Sequence, residues 1–312
     1  MAAKRTVLKT IHTIFWPALY MAVIVYLALH TKALFHDIAN ASHNNPLYII
    51  IALACFSLTF PIAALIHKIL LKEKISLVRL TAVQLAAASA GRIIPAGAGS
   101  ASITALYLKK NHVSVYRAIA VATLNNIIGI AASVSVLAVC LAFYYADLDD
   151  LMPHIQFRKI LITGVTLLAL LAASWLIKSF RKLVRKHGRK LYAQARQVLK
   201  HKKRLRQALP LAILLNCLYI VTLLAAFEAI GLSVSFAQAA IALGVGTFLG
   251  GILPLPGGLG GVEAGVYFVF TRLGYATTPT LAAVVLYRIV SLWLPFVIGS
   301  LALFRLRRKQ LL

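Results

Sequence analysis

Acidic residues are scarce in this sequence: 7 Asp and Glu stand against 33 Lys and Arg in 312 residues. In a soluble chain such an excess of cations points to nucleic acid. Here the basic residues sit between apolar runs, where the positive-inside bias accounts for most of them. No folded polar domain remains to grip a nucleic acid, so that class is set aside. Cysteine is equally sparse, with Cys55, Cys140 and Cys217 all inside apolar runs and no CxxC or CxxH spacing. They read as small core residues, which excludes a disulfide framework and a cysteine metal site. Nine histidines form no HExxH motif and no consistent i, i+4 pair, so no zinc site is expected. The glycines follow neither GxGxxG nor GxxxxGK[ST], and no strand precedes them, so no nucleotide cofactor is expected. Alternation of apolar and polar residues, the mark of a membrane β-barrel, is missing as well.

What the sequence does have is hydrophobicity. Apolar residues make up 61% and charged residues 13%, against about 45–50% and 25% in soluble domains. The class is an all-α, polytopic integral membrane protein, read as one transmembrane domain over 1–312. Full spans are placed at about 11–29, 47–71, 115–145, 159–178, 209–230 and 280–304, each near the roughly 20 residues a bilayer crossing needs. Lys4, Arg5 and Lys9 precede the first run as in a signal sequence. The run lacks a convincing small-residue cleavage site, so an uncleaved anchor is expected.

Two regions resist assignment as simple spans. Residues 77–108 are interrupted by GRIIPAGAGS (Gly91 to Ser100), and 236–272 by GGILPLPGGLGG (Gly250 to Gly261). Each leaves a short arm on either side of a Gly/Pro break and reads as a re-entrant hairpin of half-length helices. Orientation tests this. If each broken region returns to the side it entered from, the cytoplasmic side collects Lys4, Arg5 and Lys9; Lys68, Lys72, Lys74 and Arg79; Lys109, Lys110 and Arg117; thirteen basic residues within 178–206; and Arg305, Arg307, Arg308 and Lys309. The outer side keeps Lys32, Arg158, Lys159 and Arg272, with Asp37, Asp147, Asp149 and Asp150. Both termini are therefore expected in the cytoplasm.

The first hairpin then enters from the cytoplasm and the second from outside. PAGAGS (Pro95 to Ser100) matches PGGLGG (Pro256 to Gly261) in the same place of each repeat. Together these give an inverted repeat: repeat 1 at about 47–145, a basic cytoplasmic linker at 178–208, and repeat 2 at about 209–304. Such an architecture places a substrate site where discontinuous helices meet near the midplane. Unpaired backbone groups are not tolerated in hydrocarbon, so broken helix survives only buried in protein or beside a wet cavity. Pro256, Gly257, Gly258 and Gly260 are accordingly expected at a cavity rim.

Glu263 follows the second break. An intramembrane carboxylate costs on the order of 2.5–3.5 kcal/mol on insertion scales, so a partner or a cavity is required. Arg288, in the last span, and Arg92, at the first break, are the candidates. The arrangement reads either as a structural ion pair pinning the repeats or as a headgroup site, with arginine for phosphate and glutamate for a cationic amine. Asn125 and Asn126 either bond between helices or line the same cavity. Glu228 reads as an interfacial carboxylate. The spacings Gly246-x-x-x-Gly250 and Gly257-x-x-x-Gly261 match small-residue helix contacts, though so Gly-rich a stretch makes the match uninformative. Asp147 to Asp150 reads as a solvated outer loop or, in a transferase, a divalent-metal site. Phe180, Leu183, Val184, Leu191 and Val198 fall mostly on one face among the cations of 178–206. Arg181, Lys182, Arg185, Lys186, Arg189 and Lys190 then lie on an anionic leaflet or form an extended positive-inside linker.

At PLPGGLGGVEAGVYFVFTRLG and AAVVLYRIVSLWLPFVIGSLAL the sequence resembles the lysylphosphatidylglycerol synthase transmembrane family of flippase-like membrane proteins. The matching features are Pro256, Gly257, Gly258, Gly260, Glu263 and Gly265, then Tyr287-Arg288 and Trp293-x-Pro295; PAGAGS resembles the family's first break. The resemblance implies a non-enzymatic flippase of an inner membrane that moves aminoacylated or related anionic phospholipids, with Glu263 and Arg288 in its site. The synthases' soluble aminoacyl-transferase domain has no counterpart after Leu312, so lysylation is not expected of these residues. Two other readings stay open: a transferase with a lipid-linked donor, marked by essential Asp149 or Asp150, and a non-transporting partner of a lipid-modifying enzyme.

Overall fold

A computed structural model describes residues 45–71, 75–93, 98–143, 202–252 and 256–311. The described elements are helical throughout: α1 (Pro46–Leu71), α2 (Leu77–Ile93), α3 (Ala98–Lys110), α4 (Val115–Phe143), α5 (Lys202–Ala229), α6 (Phe236–Ile252), a 3-10 turn (Pro256–Gly258), α7 (Gly261–Arg272), α8 (Thr277–Arg288), a π-helical segment (Ile289–Trp293) and α9 (Leu294–Arg308). Among the described residues four helices are long and apolar enough to cross a membrane: Pro46–Leu71, Val115–Ala142, Lys202–Ala229, and α8 to α9 taken as one, Thr277–Arg308. They coincide with four of the expected spans. The spans at 11–29 and 159–178, the loop Asp147 to Asp150 and the six cations Arg181 to Lys190 lie outside the described residues.

One boundary differs. The helix expected from 209 is already formed at Lys202, the first described residue of this stretch, so Lys202, Lys203, Arg204 and Arg206 are continuous with the span. Nothing between 202 and 209 breaks a helix, and long basic side chains keep their charges in water from the end of a span. Pro210 lies inside α5 and is accommodated there.

The two broken regions are hairpins of short arms. α2 and α3 have 17 and 13 residues, α6 and α7 17 and 12. At 1.5 Å per residue these reach about 18–25 Å, short of a core about 30 Å thick. The arms touch backbone to backbone. A Cβ on Gly265 would lie 2.6 Å from Gly246 Cα, and one on Gly261 2.7 Å from Gly250 Cα. Gly246-x-x-x-Gly250 is therefore a genuine packing contact, but its partners are Gly261 and Gly265; Gly257 faces Leu292 and Arg92 instead, so Gly257-x-x-x-Gly261 is not one. In the first hairpin Gly99 presses on the Ala90 carbonyl in the same way.

Contacts at the helix ends fix the direction of each hairpin. Arg117 of α4 donates to Leu71 O, at the end of α1 (2.6 Å), and Lys110, at the end of α3, donates to Gln310 O beyond α9 (2.7 Å). Both arms of the first hairpin thus open at the end of the bundle that gathers the basic residues. The second hairpin opens at the opposite end, where Tyr275, just after α7, donates to Ser233 O, just before α6 (2.9 Å). Asn45 Nδ2 reaches Ala229 O there, so α1 and α5 run antiparallel. Each repeat's last span packs on the other repeat's hairpin: α4 meets α6 where Leu137 faces Gly244, and α9 meets α2 where Gly299 faces Leu85. The hairpin tips meet inside the bundle, where Gly257 abuts the Arg92 side chain.

Candidate functional site

The site is built where the second hairpin's broken tip meets the last span. Gly257 adopts φ 65°, a left-handed angle, and a Cβ there would sit 2.8 Å from Leu292 Cδ1. A side chain is thus opposed by backbone conformation and space at once. The turn leaves the carbonyls of Gly257 and Gly258 outside any helix, and Arg288 Nη2 donates to both at 3.2 Å. Arg288 Nε donates to Glu263 Oε1 at 2.6 Å, with side-chain exposures of 10% and 25%. Glu263 lies in the first turn of α7, whose free amides and positive dipole end favour an anion. One guanidinium therefore ties a broken backbone to a charge at the start of the next helix. Glu263 Oε2 is buried and makes no hydrogen bond among the described residues.

Arg92, the other candidate partner of Glu263, is placed elsewhere. Its Nη1 donates to Ala88 O (2.7 Å) and its Nη2 to Ser291 O (2.6 Å), across the repeats. The α-helical donor for Ser291 O is position 295, a proline with no N–H, and the segment 289–293 is wound as a π-helix. Such single-turn bulges recur at functional sites. Arg92 lies in electrostatic range of Arg288, Tyr219 and Tyr287. Two arginines and one glutamate leave a formal charge of +1 on this group.

The structure brings Glu263, Arg288, Gly257 and Gly258 together and sets Arg92 beside them. Pro256 starts the 3-10 turn, and Gly260, at φ 79°, is the N-cap of α7. Asn125 and Asn126 lie half-buried and exposed on α4, and the hydrogen bonds of the pair do not include them. A polar contact of that helix with α5 is made instead by Ser133, whose Oγ donates to Asn216 Oδ1 (2.6 Å). Sequence reasoning missed Ser291, Tyr219 and the Ser133–Asn216 bond. For Ser291 a signal existed, a proline four residues on in a span, which strands one carbonyl.

Broken helices meeting over a buried ion pair, within spans of bilayer length, define a multi-pass α-helical membrane protein with a discontinuous-helix site. The chain belongs to the family described as the lysylphosphatidylglycerol synthase TM region, whose model matches residues 13–299. That family is one of membrane proteins of lipid modification or transport. No curated protein matches the sequence.

Proposed function

We propose that the chain carries phospholipid headgroups between the leaflets of a cytoplasmic (inner) membrane, with both termini at the cytoplasmic face and no covalent chemistry of its own. The observation that supports this is the Glu263–Arg288 pair, held on a broken backbone with one carboxylate oxygen unengaged and a second arginine adjacent. A headgroup bearing both phosphate and amine matches it. A guanidinium has five donors, and the two carbonyls on Arg92 take one each of its Nη hydrogens. The remaining donors suit phosphate oxygens, and Glu263 Oε2 suits an ammonium. Aminoacylated phospholipid fits this pattern, and an enzyme making such a lipid is the partner that would supply it. Hairpins entering from opposite ends of the bundle give the headgroup a route from either leaflet.

Glu263→Gln tests the reading. Glutamine keeps the shape and an acceptor for Arg288, which also retains the carbonyls of Gly257 and Gly258. The purified variant should fold. Movement of a fluorescent aminoacylated phospholipid between leaflets of reconstituted vesicles should fall about ten- to a hundredfold, the equivalent of a charge-assisted hydrogen bond of about 1.5–3 kcal/mol. A well-folded variant that moves lipid at the normal rate defeats the proposal. Labelling of single cysteines introduced within 178–206 checks the orientation; reaction from outside intact cells would reverse it.

A further inference from the structure

Away from the ion pair, the start of α2 and the end of α9 line an open crevice of about 560 Å³, within the range of about 300–1,000 Å³ typical of ligand pockets. Its walls are apolar, with Ala82 of α2 facing Ile298 and Leu301 of α9. At the basic end of the bundle the lining changes to Arg79, Arg305 and Lys309, all three exposed. Neither Glu228 nor Glu263, the two carboxylates among the described residues, lines it. Arg79 stands in the first turn of α2, whose amide dipole end also favours an anion.

Packing alone does not require this charge. At the corresponding contact of the other repeat, between α4 and α6, the Leu137 side chain packs on Gly244. There the first turn of the hairpin arm reads Phe236-Ala237-Gln238-Ala239, without a cation. A soluble anion would need the basic residues but not the greasy walls. An acyl chain would need the walls but not the basic residues. We propose that this crevice is a second lipid site, separate from the Glu263–Arg288 pair, which holds an anionic phospholipid with a chain between α2 and α9 and its phosphate among Arg79, Arg305 and Lys309. Two arginine forks and a lysine match phosphate oxygens in geometry as well as charge.

The test uses the full chain, purified and delipidated, then offered vesicles of phosphatidylglycerol or of phosphatidylcholine, with retained lipid counted by native mass spectrometry. Phosphatidylglycerol should be retained in preference. The triple variant R79Q/R305Q/K309Q should lower that retention about tenfold or more, since each basic residue near a surface contributes about 1 kcal/mol. The charge-conserving triple variant R79K/R305K/K309R should lose less than the neutral one, through fork geometry alone, and Ala82→Trp, which fills the walls without touching charge, should abolish it. Asn216→Leu, at neither lipid site, should leave it unchanged, and the transport assay of Glu263→Gln is read separately from this retention. The proposal is overturned if the charge-neutral triple variant, folded by thermal denaturation, still retains phosphatidylglycerol, or if phosphatidylcholine is held equally well. Complete displacement by inorganic phosphate would also overturn it, as would a crosslink from Leu301→Cys to another segment of this chain.

Discussion

The first hairpin carries a cation on its entering arm, Arg92, and satisfies it with main-chain carbonyls of α2 and of the π segment. The second carries an anion on its returning arm, Glu263, and satisfies it with a side chain from the last span. The offset of 161 that aligns Pro95 with Pro256 puts Ser102 opposite Glu263 and Ile127 opposite Arg288. The repeat therefore supplies the frame, with tight glycine contacts in both hairpins, while the charges differ: a lone cation in the first and an ion pair in the second. A scaffold needs symmetry; a site that holds a headgroup with distinct ends does not.

That contrast is broken most severely at Arg288. Arg288→Leu leaves Glu263 and two turn carbonyls without their donor. An uncompensated buried charge costs about 3–5 kcal/mol, so thermal unfolding in detergent should shift far down or the protein should fail to accumulate. Arg92→Leu removes a cation that faces carbonyls and not a carboxylate, and about 1–3 kcal/mol is expected from the groups left unpaired. Equal losses in the two variants would erase the distinction between the hairpins.

Glycines of the second break sharpen it next. Gly257→Ala meets a left-handed angle and Leu292 together, so a loss of about 1–3 kcal/mol is expected. Gly251, six positions earlier, is helical and would place a Cβ in open space. Gly251→Ala should stabilise by about 0.5–1 kcal/mol. Measured side by side, opposite signs locate the turn; like signs would mean that the break is softer than described. The smallest effect belongs to the contact between α4 and α5. Asn216→Leu should cost about 0.6 kcal/mol, the mean for hydrogen bonds between membrane helices, with lipid movement unchanged.

Much of this was legible in the sequence because the solvent is so restrictive. Apolar length marks the spans, and two Gly/Pro breaks in hydrocarbon have few physical solutions. The opening of the hairpins at opposite ends followed from where the lysines and arginines lie. Glu263 and Arg288 were readable as partners because few charges stand inside the spans. Arg92 was readable as a charge in need of contacts, but not as a donor to Ser291 O, which depends on how α9 packs against α2. That the helix of α5 already includes Lys202 to Arg206 was obscured because a basic stretch looks alike as surface helix and as the end of a span. The π segment left no trace in hydropathy, since one residue added to a uniformly apolar run changes no average.

That added residue sets the phase of the last span. Arg288 and Gly299 are eleven positions apart, which in an unbroken α-helix, at about 100° per residue, places them about 20° from alignment. Both would then point at one neighbour. A π-turn absorbs about one residue, which turns them to about 80° apart. The same helix thereby presents Arg288 to the tip of its own repeat's hairpin and Gly299 to the arm of the other. The bulge acts as an angular spacer, and the last span is the axle to which both hairpins are keyed.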